Sequence, residues 1–317
     1  MIKNIRIILF FCLFQTCTSF CATADEYINA LLGQYHRSVT VLEIGRFSGA
    51  HLFNLAKKYP GTYVLMDRKL AHSPEILEEA AYKNIVFLHP AQIDDTLLTN
   101  LGKCEHFDVV IIRQGDHLPS ANFADSLQVL LTLGDHIFID LPEHMVAAAQ
   151  AVHACEVKHV SQGQCICYFE MHKTYITKPR WISHEESAGH YGIVSTFDEK
   201  RMAKQSTGTT STWVPGINLV TFLILRGVYP TDKMMRKQLK TFKHINHNDL
   251  VLGNIVAQGK NLVPIDFHDK RRNISPEVCI KAALKRVIWN GRLKKNPYDL
   301  LNRYSDYLHG HKRKMNG

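Results

Sequence analysis

The chain has 317 residues, 45% of them apolar and 21% charged, a length for which two domains are the default expectation. It contains no repeat or low-complexity tract, and no segment beyond its N-terminus is apolar enough to span a membrane. The net charge of +9 is unevenly held: residues 25–171 carry ten Lys/Arg against eighteen Asp/Glu, a net of −8, and residues 172–317 carry twenty-six against eleven, a net of +15. A swing of that size marks a boundary near residue 172. It implies halves that attract each other, or a second half that meets an anion.

In chain order, residues 1–24 read as an export signal. Lys3 and Arg6 give a positive start, Ile7–Ala22 is mostly apolar, and Ala22-Thr23-Ala24 is an A-x-A site before Asp25. The expected location is therefore the periplasm, the exterior or a secretory lumen. An uncleaved membrane anchor is the alternative, and it is the only contact with a membrane that the sequence suggests.

Val39–Gly49 (VTVLEIGRFSG) follows, with Asp67 closing the later run TYVLMD. The apolar run predicts a buried parallel strand, the glycines allow close approach of backbone to a ligand, and a helix opening near Ser48 offers free N–H groups. Asp67, ending a second strand, is placed to accept from ribose hydroxyls. Phe47 stands where a dinucleotide fingerprint has its middle glycine, leaving less room for a pyrophosphate. Glu43 precedes the glycines, where a cationic ligand can use it.

Asn84–Leu88, Phe107–Ile112 and Asp135–Ile139 predict three more strands, with a helix over Asn122–Leu133 before the last. Cys155–Val160 and Gln164–Met171 flank Ser161-Gln162-Gly163 as a hairpin. The expected fold class is α/β, a Rossmann-like seven-stranded sheet. The Glu43–Gly49 stretch and this order of elements resemble the class I S-adenosylmethionine (SAM) methyltransferases over Tyr35–Met171. The resemblance implies SAM as cofactor, held by Glu43, Gly45, Phe47, Gly49 and Asp67.

Ile111–Leu130 is similar to a small-molecule O-methyltransferase branch with Asp-Gly-Asp-His after its fourth strand, which includes sugar methyltransferases. Gln114-Gly115-Asp116-His117, Asp125 and Asp140 stand at the corresponding places. The resemblance implies His117 as base and Asp116 and Asp140 as ligands to Mg²⁺. Gln114 replaces the branch's first Asp. A solvated loop at Asp116 and His117, and a helix N-cap at Asp140 before Pro142, are the structural alternatives.

Cys104, Cys155, Cys165, Cys167 and Cys279 lie beyond the leader, an odd number with no CxxC and no zinc spacing. Cys165 and Cys167 share one strand face and are poorly placed to bond to each other.

The second half, 172–317, carries His247-Asn248-Asp249 and Asn254, then strands over Ile255–Ala257 and Leu262–Ile265 around the turn Gln258-Gly259-Lys260, then Asp266-Phe267. This resembles the catalytic loop and metal site of aminoglycoside and choline kinases. The resemblance implies Asp249 as base and Asn254 and Asp266 as metal ligands in a truncated, kinase-like α+β domain. Thr209–Trp213 with Pro215-Gly216 reads as a linker. Asn218–Leu225, Asp232–Phe242 and Ser275–Trp289 read as helices.

The expected activity is SAM-dependent methyl transfer to a small hydroxylated molecule, with a sugar as one candidate. The alternatives are a small-molecule phosphotransferase, or an exported, non-catalytic binding protein with degenerate nucleotide folds. The expected partners are the small substrate and an anionic ligand or nucleotide at the basic half, with nucleic acid disfavoured. Export conflicts with a cytosolic cofactor. A cytosol-facing anchor, a compartment that imports SAM, or loss of the cofactor would each resolve the conflict.

Overall fold

A computed structural model describes residues 26–45, 50–67, 84–90, 92–113, 122–161, 163–171, 181–183, 211–242 and 252–265, with residues 281 and 285. Among these residues no helix is long and apolar enough to cross a membrane. The leader, Ser161-Gln162-Gly163 at its middle residue, and Ser275–Trp289 apart from Lys281 and Lys285 lie outside them.

Five strands form the expected parallel array: β1 (Val39–Ile44), β2 (Gly61–Met66), β3 (Ile85–Leu88), β4 (Phe107–Ile112) and β5 (Gly134–Pro142). β6 (Glu156–Ser161) and β7 (Gln164–Glu170) are the hairpin, and β7 lies antiparallel beside β5. Alternation along the strands sends side chains to two opposite faces. Leu42, Ile44, Val64, Met66 and Ile112 face one side, where they pack with α2 (Asp95–Cys104) and α3 (Phe123–Leu130). Val39, Val41, Leu65, Val109 and Ile111 face the other, beneath the helix over residues 26–34 and α1 (Ala50–Lys58). Both faces are covered, which is why these strands read as continuous apolar runs.

β5 extends further than the sequence predicts, through Asp140 to Pro142. Pro142, not Asp140, is therefore the N-cap of α4 (Glu143–Val152), and no side chain caps that helix. Cys155 and Cys167 are both free thiols, and no disulfide joins them. Burial pushes the Cys167 thiol up to about 12.

After Met171, β8 (Trp181–Ser183) pairs with β9 (Ser211–Trp213), so part of the expected linker is strand. Val214 to Leu219 are buried rather than solvated. The Gly216 N–H donates to the Thr40 hydroxyl of β1 at 2.9 Å. Gly216 has φ +129°, and a Cβ there would overlap the Ala257 carbonyl, so only glycine passes this close.

β10 (Ile217–Asn218) leads into α5 (Leu219–Ile224), capped by the Asn218 side chain on the Val220 N–H at 2.9 Å. β11 (Gly227–Tyr229) then adds antiparallel to the outer side of β3. α6 (Asp232–Thr241) and the hairpin β12 (Ile255–Gln258) and β13 (Asn261–Pro264) follow. Ile217, Leu219, Phe222, Met235, Leu239, Ile255 and Leu262 join the same buried cluster as Leu42 and Val64 of the sheet.

Buried Glu105, between α2 and β4, ties the two regions together. Its Oε1 accepts from the Asn218 N–H at 3.1 Å and from the Thr221 hydroxyl at 2.6 Å.

Candidate functional site

In an open parallel sheet, ligands bind outside the carboxyl ends of the strands where the strand order reverses. The order here is β11-β3-β2-β1-β4-β5-β7-β6, so the reversal falls between β1 and β4. Five parallel strands with a terminal hairpin inserted antiparallel at one side form the seven-strand layout expected from the sequence. The sheet is Rossmann-like, with β11 added at its other edge.

No family model matches the sequence, and no curated protein is significantly similar to it. Solved SAM-dependent methyltransferases are similar in structure. One is magnesium protoporphyrin IX methyltransferase of Synechocystis PCC 6803 with bound SAM, at 14% identity and a TM-score of 0.36, covering 48% of this chain and 82% of that one. A SAM-dependent methyltransferase of Aquifex aeolicus has 15% identity and a TM-score of 0.32, covering 45% of this chain and 88% of that one. The N-terminal domain of EvdMO1 with bound S-adenosylhomocysteine has 14% identity and a TM-score of 0.34, covering 45% and 78%. At such identities and TM-scores the strand order, not the likeness, carries the fold assignment.

Of the expected cofactor residues, Glu43 and Gly45 stand at the reversal and Asp67 stands beside it, after β2. Glu43 is the buried penultimate residue of β1. Gly45 follows that strand at φ +121°, and a Cβ there would overlap the Arg113 carbonyl. Any other residue would force β1 and the end of β4 apart. Asp67 follows β2, half-buried, with its N–H on the Leu88 carbonyl at 3.3 Å. The His89 ring contacts the Asp67 carbonyl through Nδ1 at 3.1 Å, which ties the segment after β3 to that after β2. Phe47 and Gly49 lie outside the described residues, as do Asp116, His117, Asp249 and Asp266.

Arg113 was not singled out by the sequence reading. It follows β4 directly, its N–H on the Ile44 carbonyl at 3.0 Å. One guanidinium nitrogen lies 2.9 Å from His51 Nδ1 on the first turn of α1. Because a guanidinium only donates, Nδ1 is the acceptor. Another nitrogen lies 3.8 Å from Asp140 Oδ2. The signal was available: a cation immediately after the apolar run FDVVII sits at the carboxyl end of a central strand, where ligands bind. Asp140 thus faces a cation, and a divalent ion placed on it would be repelled by the Arg113 charge.

Asn254 is fully buried at the foot of the β12–β13 hairpin, its carbonyl accepting from the Ile265 N–H at 2.8 Å. Asn218 Nδ2 donates to the neighbouring Gly253 carbonyl at 2.7 Å.

A second polar cluster sits at the opposite, amino-terminal ends of the strands. Arg37 grips Asp108 through two contacts, 2.6 and 3.3 Å, and the Thr40 N–H donates to Asp108 at 2.6 Å. His106 Nε2 lies 3.2 Å from Asp135 and 3.6 Å from Asp108. Burial opposes the Asp108 charge, but Arg37 and His106 outweigh it and hold this carboxyl well below the usual range. Burial alone would lower the His106 value, and contact with Asp108 and Asp135 raises it instead. Among the described residues this His-Asp-Asp group has the spacing to hold a metal ion. The Arg37 cation already supplies the charge that Asp108 requires, so the cluster works as an ion network inside the sheet.

Proposed function

We propose that the chain binds SAM over the carboxyl ends of β1, β2 and β4 and methylates a small hydroxylated molecule, with a sugar as the substrate class to test first. The supporting observation is the register that sets Gly45 beside Asp67, with Glu43 just before it on β1, at the strand next to the reversal. Asp67 accepts from the ribose hydroxyls, and Glu43 offers a negative charge to the ammonium of the amino-acid end. The bound cofactor supplies a methyl group on a positively charged sulfur. His117 takes the acceptor proton, and alignment of acceptor, methyl and sulfur carries most of the rate. Mg²⁺ has no part in this reading, since the one described ligand of its set, Asp140, faces Arg113.

The phosphotransferase alternative gains nothing from Asn254, whose burial keeps it from a solvated metal–phosphate complex. Calorimetry on the full chain tests the reading. SAM binds saturably, and Asp67→Ala weakens it roughly tenfold to hundredfold, the loss of a charge-assisted hydrogen-bonded pair. No heat at millimolar SAM would leave a binding fold without this cofactor.

Export stays part of the proposal. N-terminal sequencing of native protein should find Asp25 or a near neighbour first. An intact Met1 in the membrane fraction would establish an anchor instead, and would place the cofactor within reach if the sheet faces the cytosol.

A further inference from the structure

α6 divides its residues between two faces. Met235, Leu239 and Phe242 are buried in the cluster that covers the sheet. Lys233, Lys237 and Lys240 repeat that spacing two residues earlier, which turns them about 200° away, and all three are exposed. Lys260, exposed at the turn between β12 and β13, lies beside the helix. The Gln238 side chain donates to the Lys260 carbonyl and accepts from the Leu262 N–H. One amide thus holds the turn on α6 and sets a fourth lysine next to the stripe. Residues 211–265 contain seven Lys/Arg and only two acids, Asp232 and Asp249. Asp232 occupies the first turn of α6, where the helix N-terminus suits an acid. Among the described residues no ion pair joins these four lysines to an acid.

We propose that this face of α6, with the β12–β13 turn, docks on a membrane surface that carries anionic lipid headgroups. The chemistry of the face selects that partner. Its charges are lysines, compact hydrated cations suited to a diffuse negative surface, whereas the planar fork of arginine suits a fixed phosphate or a base edge. No aromatic side chain stands among the exposed residues of α6, so the bases of a nucleic acid strand find nothing to stack on. None of those exposed residues is apolar, and the apolar side of the helix is already packed on the sheet, so the contact is with headgroups and involves no insertion. Each lysine close to an anionic leaflet strengthens partition roughly fivefold, so three together give on the order of a hundredfold. A contact of that strength is reversible and weakens with salt. It is independent of the SAM reading above.

Cosedimentation of the full chain with vesicles tests this. Phosphatidylcholine vesicles are compared with phosphatidylcholine–phosphatidylserine at about two to one, in roughly 0.1 M and roughly 1 M salt, where the screening length falls from about 10 Å to about 3 Å. At the lower salt wild type should bind the anionic vesicles at least about tenfold more tightly than the neutral ones, and at the higher salt it should lose that excess. Uptake through the N-terminal apolar segment is common to both vesicle types and cancels in the comparison. The triple variant Lys233→Gln, Lys237→Gln, Lys240→Gln should weaken binding to anionic vesicles on the order of tenfold to hundredfold. Lys233→Arg, Lys237→Arg, Lys240→Arg keeps the charge and should retain the binding. Lys57→Gln with Lys58→Gln, on α1, lowers the net charge elsewhere and should change it by less than about twofold. All these lysines are exposed, so the variants should fold as wild type does, which circular dichroism checks. Equal binding to both vesicle types, or a glutamine triple variant that binds as wild type does, overturns the proposal. So does a loss as large per charge in the Lys57 and Lys58 variant, which would assign the binding to net charge alone. Vesicle binding that survives the triple change while binding of a DNA duplex is lost would make the partner a nucleic acid instead.

Discussion

Replacing Glu105 with Ala should lower the stability of the whole chain by about 3 kcal/mol, read as an earlier midpoint in urea unfolding at unchanged slope. Glu105 is fully buried, and its Oε1 accepts from Asn218 and Thr221 at 3.1 and 2.6 Å. Removing the carboxylate leaves two buried donors without this acceptor, each costing about 1–3 kcal/mol, together with a small cavity. Thr221→Val removes one donor and keeps the acceptor, so its cost should be smaller. In the double variant the two losses should add to less than their sum, because they share one bond. Full additivity would show that the contact carries no energy.

The same variant bears on how the chain divides. A boundary at 171/172 between independent domains predicts two unfolding transitions, of which Glu105→Ala moves mainly the first. One cluster holding Leu42 and Val64 together with Phe222, Leu239 and Ile255 favours a single transition that shifts as a unit. Coincident far-UV and near-UV circular dichroism curves would decide between them. A chain ending at Met171 would expose the face of the sheet that these residues cover, so ligand binding is best measured on the full chain.

The sheet was legible because strands buried on both faces leave uninterrupted runs such as VTVLEI and FDVVII, and the glycine at 45 marks the close approach to Arg113. The hairpin Ile255–Gln258 with Asn261–Pro264 was legible from its turn. β11 was not. It has three residues, follows Arg226 in the left-handed region at φ +53°, and gains its strand geometry from β3, about 140 residues away in sequence. Pro215-Gly216 read as linker because Pro-Gly is a turn signal, while Gly216 is buried with its N–H on the Thr40 hydroxyl, a contact that no local pattern announces. The candidate site divides the same way. Glu43, Gly45 and Asp67 fall in a spaced motif, whereas Arg113 and Asp140 are brought together by strand register and His51 by the packing of α1 on the sheet.

Asp108→Ala should be the most destabilising single change at the amino-terminal ends of the strands, at about 3–5 kcal/mol, with ligand binding retained wherever the protein is folded. The Asp108 side chain is fully buried and Arg37 is 10% exposed, so the substitution strands a guanidinium in the sheet and takes the acceptor from the Thr40 N–H. Asp108→Asn keeps an acceptor for Thr40 and loses the charge, so it should fall between. The network also fixes how stability varies with pH. The folded value of Asp108 is depressed, so its contribution is present above the unfolded value near 3.8 and is lost as pH falls below that toward the folded value. The folded value of His106 is raised by Asp108 and Asp135, with Arg37 the opposing cation across Asp108. Its contribution is complete below the unfolded value of 6.5 and is lost as pH climbs through the folded value. Thermal midpoints between about pH 5 and pH 9 should therefore decline on the alkaline side, and His106→Gln should flatten that decline. Parallel curves for the two proteins would mean that His106 holds its proton equally in the folded and unfolded states. The crevice lies at the far end of the strands, so these variants separate what holds the sheet together from what binds upon it.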